Sequence, residues 1–280
     1  MIPAAYAQTR LHSAGPEVEN RGVILNTKSG SQSIAALSME ERGEHFVVLY
    51  DFKEDQGQAR RVLRAAETDY KKIASQIGYS RYSDFWMWDE RVKIIIFKDQ
   101  ETFISQTGQP PWSRGYAARD SELFQSRIIV TYRQEEDFLE GLLPHEISHL
   151  VLRDFIGFDR TIPIWFDEGI AQLQEANKTV IANRLMRKLI PQENYIPLDT
   201  LLSWDIREEK DQWKVILFYA QSLCVVDFLI RQYGSRAVGD LCRNLEAGDG
   251  FPEALRKAYP SSIDSVKKLE ERWVRYMGGK

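Results

Sequence analysis

The centre of the chain reads Leu142-Leu143-Pro144-His145-Glu146-Ile147-Ser148-His149-Leu150-Val151. On a helix, residues four apart share a face, so His145 and His149 can turn both imidazoles toward one ion. Glu146 is displaced around the helix axis. It can reach a water on that ion without itself binding the ion. Zinc also needs a third protein ligand and an open fourth position. Glu168 follows His149 by nineteen positions. Gly157, Asp159 and Pro163 provide a turn, and a second helix starting near Pro163 can run back against the first and bring the Glu168 carboxylate beside both histidines. Asp167 points elsewhere, because adjacent helix residues lie about 100° apart. The chain has only 4 histidines, so this spacing is not expected by chance. The other two, His12 and His45, read as exposed polar residues.

These residues need a helical frame, and the text around them supplies one. Leu142, Leu143, Ile147, Leu150, Val151 and Leu152 give the first helix apolar faces. Pro144 would break a helix running straight from Glu135, so a kink or a fresh start near Leu142 is expected. Helices are expected near 135–156, 164–176, 178–189, 211–233, 235–247, 251–258 and 262–276, with Gly157, Pro163, Pro191, Pro197, Gly234, Gly248 and Gly250 in the gaps. The first half is mixed. Strands are expected at 45–52, 92–97, 116–118 and 126–132, and helices at 57–77 and 99–105. Strands followed by a long helical run fit an α+β fold. Residues 1–43 read as a flexible leader and linker. Residues 44–280 read as one catalytic domain, with an α/β lobe at 44–134 and a helical lobe at 135–280.

Composition narrows the function. With 37 basic and 41 acidic residues the formal charge is -4, which argues against a nucleic-acid-binding role. No unbroken apolar run approaches the roughly 18 residues of a membrane span. Cys224 and Cys242 lack Cys-x-x-Cys spacing and read as buried thiols or as a single bridge between helices. Ala5-Tyr6-Ala7 resembles the end of an export signal, although the basic start and apolar core of such a signal are missing. This suggests a periplasmic or secreted protein; the alternative is a short leader on a cytoplasmic one.

His-Glu-x-x-His, eighteen residues, then Glu168 within Trp165-Phe166-Asp167-Glu168-Gly169-Ile170-Ala171 resembles the gluzincin metallopeptidases. The likeness is to the peptidase MA-like family, and more distantly to zinc aminopeptidases. It extends over 90–276 and includes Tyr219-Ala220-Gln221-Ser222. The resemblance implies a thermolysin-like domain with a single Zn2+ in the cleft between its lobes, held by His145, His149 and Glu168. Glu146 would be the general base and a peptide or protein the substrate. It also implies a tyrosine donor to the oxyanion, for which Tyr219 is the best match and Tyr195 a weaker one. Gln172, Asp167 and Glu175 are candidates for orienting the histidines. Trp165 reads as packing.

The chain departs from the aminopeptidases in lacking their Gly-x-Met-Glu-Asn strand, which binds the free amine, so strict aminopeptidase activity is not implied. Ser113-Arg114-Gly115-Tyr116-Ala117-Ala118 stands where an edge strand should lie; it either holds an extended peptide through its main chain or is only a structural strand. Two other readings remain: a metallopeptidase-like binding or scaffold protein without turnover, and a zinc hydrolase of a non-peptide amide.

Overall fold

The computed structural model describes residues 37, 39–50, 56–79, 86, 90–111, 113–120, 126–133 and 138–279. Ala5-Tyr6-Ala7, His12, the linker at 30–33, the strand end at 51–52, Trp112 and the helix start at Glu135 lie outside them. The described residues form two compact units, one within 37–71 and 86–150, the other within 72–79 and 151–279. The division falls inside the helix that carries the two central histidines, where the sequence suggested a boundary near Glu135.

The first unit is a five-stranded sheet: β1 (Met39–Arg42), β2 (Phe46–Tyr50), β3 (Val92–Phe97), β4 (Gly115–Asp120) and β5 (Ser126–Tyr132), in the order β1-β2-β3-β5-β4. The central strands β2, β3 and β5 are parallel, with Val48 opposite Ile94 and Ile94 opposite Ile129. Parallel strands are covered on both faces, which is why β3 reads as a continuous Val/Ile run rather than an alternation. One face packs on α1 (Gln56–Gln76), where Tyr70 meets Phe46 edge-on. The other face packs on α2 (Gln100–Thr107), whose Phe103 joins Ile95, Phe97, Ile128 and Val130. The edges, β1 and β4, are antiparallel to their neighbours.

Strand β1 lies within the stretch read as linker. Met39-Glu40-Glu41-Arg42 has no apolar alternation, and main-chain pairing to β2 alone makes it a strand. The fold is α+β as expected, and the two helices expected at 57–77 and 99–105 interleave with the strands of the sheet before the helical run begins.

The second unit is helical. It contains the end of α3 (Leu143–Ile156), then α4 (Ile164–Gln174), α5 (Lys178–Leu189), the single turn α6 (Leu198–Leu201), α7 (Gln212–Glu246), α8 (Phe251–Ala258) and α9 (Val266–Gly278). Helix α7 starts at Asp211, whose carboxylate accepts from the amides of Trp213 and Lys214. It is broken at Gly234, which has φ 81 and ψ 164, values that a residue with a Cβ avoids. The gap expected between 233 and 235 is this break.

Helix α7 is long and apolar enough on average to cross a membrane, but 83% of its most apolar window is buried within the protein. Its apolarity is accounted for by packing, since α4, α5 and α8 all lie against it.

The α4–α7 crossing is very close. A Cβ on Gly169 would stand 2.6 Å from the Ser222 carbonyl oxygen and 2.7 Å from a Val226 methyl. The first obstacle is backbone and cannot swing aside. Gly169→Ala should therefore lower stability by about 1–3 kcal/mol, read as a fall in the urea midpoint. An unchanged midpoint would show that the crossing has slack.

Candidate metal centre

Helix α3 begins with a wide turn. Residues Phe138–Leu142 form a π-helical turn that leads directly into Leu143–Ile156. Pro144 has no N–H to donate, and in a regular helix its ring would press on the carbonyl of Glu140. The wider π turn meets both constraints. This is the fresh start expected near Leu142, with the kink spread over one turn. Beyond it the helix is regular and buried: Ile147, Leu150, Val151 and Leu152 pack inward, and the Ser148 hydroxyl donates back to the Pro144 carbonyl at 2.9 Å.

His145 and His149 lie on one face of α3, as their spacing requires, with their Nε2 atoms 3.1 Å apart. Glu168 is on α4. His145 and Glu168 are buried and His149 is partly buried. Glu146 is also buried, at 8% exposure.

Two imidazoles and a carboxylate are a donor set suited to zinc. Ligands about 2.0–2.1 Å from a tetrahedral ion stand roughly 3.3 Å apart, so the nitrogen separation fits a shared ion. A carboxylate as buried as that of Glu168 is costly unless a charge or donor meets it.

The model of the peptidase MA superfamily matches residues 88–279, well over half the chain. The chain belongs to the peptidase MA superfamily. It is thus a metallopeptidase-like protein, and the matched region contains α3, α4 and α7 entire. No curated protein matches the chain.

Around the cluster, Asp167 is buried and accepts from Arg153 Nε and Nη2 at 3.1 and 2.7 Å. Gln172, 1% exposed, accepts from Lys178 Nζ at 2.9 Å. Glu175 pairs with the same ammonium at 3.3 Å. The three candidate orienting residues thus meet cations that sequence reading did not single out. Arg153 was findable, since it repeats the four-residue spacing of His145 and His149. Lys178 was not, because a lysine at the start of a helix normally faces water.

Tyr219 is buried in α7, one turn before Ser222 and the crossing with α4, and its ring meets Phe218 edge-on. Tyr195 packs edge-on against Trp273 of α9. Burial raises the Tyr195 phenol above its ordinary pKa, and the carboxylates of Glu270 and Glu193 add to the effect. Trp165 is buried against Phe166 and Phe251, as expected for packing. Cys224 and Cys242 are buried free thiols. Burial holds both well above the usual thiol pKa, which suits packing and not nucleophilic chemistry.

Glu44, His45 and Glu67 form a second group of ligand-type atoms. His45 is not the exposed residue expected from sequence: it is 3% exposed and stacks on Tyr70 at 4.4 Å. Its Nδ1 lies 2.7 Å from Glu67 Oε2, while Glu67 Oε1 accepts from the backbone amides of His45 and Phe46. Lys71 holds Glu44 at 3.1 Å. With these atoms engaged, the group is better read as a latch, in which a carboxylate on α1 holds the β1–β2 turn. Glu67→Ala would strip the turn's amides of that acceptor. It should cost about 1–3 kcal/mol, measurable by chemical denaturation with zinc content unchanged.

Proposed function

We propose that this protein is a zinc-dependent metallopeptidase of the gluzincin type. The observation that carries the reading is the pair of imidazoles on one face of α3, His145 and His149 with Nε2 atoms 3.1 Å apart, in a chain of the peptidase MA superfamily that carries Glu168 nineteen positions on. These three side chains would hold one Zn2+. When bound, zinc lowers the pKa of a coordinated water toward about 7 and polarises the scissile carbonyl. Glu146, offset around α3, takes the proton of the attacking water and returns it to the leaving amine. The Tyr219 hydroxyl serves as a donor to the oxyanion. Strand β4 is a sheet edge, and an edge can align an extended peptide through main-chain hydrogen bonds. Peptide or protein segments are therefore the substrate class.

His149→Ala should lose most bound zinc in metal analysis of the purified protein, and full occupancy would overturn the ligand assignment. Glu146→Gln keeps the shape without the base. It should retain zinc and fold while losing turnover by roughly 100-fold or more; wild-type turnover in that variant would defeat the mechanism. Tyr219→Phe should also keep zinc, with a loss of about 2.7–4 kcal/mol in transition-state stabilisation if its hydroxyl meets the oxyanion. If the zinc-loaded wild type cleaves nothing in a broad peptide library, the scaffold or non-peptide reading replaces this one.

A further inference from the structure

Arg153 and Asp167 take no part in the steps above, yet both flank the candidate ligands. Arg153 stands one turn after His149 on α3, and Asp167 immediately precedes Glu168 on α4. The guanidinium donates through both Nε and Nη2 to a single carboxylate oxygen, Asp167 Oδ2. The Asp167 side chain is 3% exposed and that of Arg153 21%. Pro163 at the start of α4 supplies no side-chain cap, and Asp167 is the acidic residue of the first turn, where negative charge is favoured by the helix dipole.

We propose that the Arg153–Asp167 ion pair is a positioning device for the metal centre, one that sets the rotation of α4 so that Glu168 presents its carboxylate to the ion. The proposal rests on the zinc reading above. Residue 167 is tied to α3, and residue 169 is pressed against the Ser222 backbone of α7. These two points of contact are about 200° apart around the α4 axis. A helix held at two such points cannot rotate, and Glu168 lies between them.

A contribution to stability is a weaker explanation. Buried ion pairs often add little, because desolvation offsets the attraction, and replacing both partners by apolar residues is frequently neutral. Removal of groups that orient metal ligands, by contrast, typically weakens metal binding 10–100-fold.

The test uses the full chain and two variants. Arg153→Met/Asp167→Leu removes both charges of the pair together. Asp167→Asn keeps the shape and weakens the pairing. For each, the zinc Kd is measured by competition with a chromophoric chelator, and the urea midpoint is measured on the metal-free protein. The expected result is a zinc Kd raised 10–100-fold in at least one variant whose metal-free midpoint equals that of the wild type. A Kd within twofold of wild type in both folded variants overturns the proposal. So does weakened binding that merely tracks a falling metal-free midpoint across both variants, since that would be a structural role. A wild-type protein that takes up no zinc overturns the zinc reading itself, and this inference with it. Tight zinc in the wild type with unchanged Kd in the variants overturns the inference alone.

Discussion

The approach of α4 to α7 at Gly169 is the constraint on which the helical unit depends. Backbone carbonyl atoms of Ser222 stand where any larger residue would put its first side-chain carbon. The two helices therefore meet at one place and in one rotation. Phe166, Ile170 and Ala171 of α4 are then carried inward, and Val225, Val226 and Leu229 of α7 are buried with them. Glu168 gains its direction from the same contact, because it is the residue next to the crossing. The composition of α7 follows as well: a helix covered by α4, α5 and α8 must be apolar around most of its surface.

Several buried polar side chains of this unit are met by specific partners. Asp167 meets Arg153, and Gln172 and Glu175 meet Lys178. The amide of Gln221, fully buried, both accepts from and donates to the backbone of Ile196. Groups removed from water need such partners, and a pair with fixed geometry specifies orientation even where it adds little net stability. The two cysteines show the opposite use of burial. Their thiols are held in the protonated form and fill space as small apolar groups.

The sheet unit is organised by a different rule. Its parallel strands are covered on both faces by α1 and α2, and its two edge strands are antiparallel to their neighbours. The turn between β1 and β2 is held by Glu67, a side chain of α1. A polar edge strand with little apolar content is kept in place this way, by main-chain pairing and a charged clamp in place of core packing. At the opposite edge, β4 presents backbone groups outward, as edge strands do.

Much of the architecture was legible in the sequence, because helices report themselves through local chemistry. The 3.6-residue period, Asp211 at the start of α7, Gly234 at its break and the four-residue spacing of His145 and His149 each act within a few residues of chain. The strand β3 was legible for the same reason. The turn and second helix that carry Glu168 were legible too, from Gly157 and Pro163, both local signals. What sequence could not supply was anything decided by a distant partner. Strand β1 exists because β2 lies beside it, and its own residues give no strand pattern. His45 is buried because Tyr70 and Glu67, more than twenty residues away, form its surroundings. The burial of Lys178 and the pairing of Arg153 with Asp167 depend on which helix faces turn toward each other. That rotation is set by helix-to-helix packing at Gly169 and the salt bridge beside it, and no periodicity along one helix encodes it.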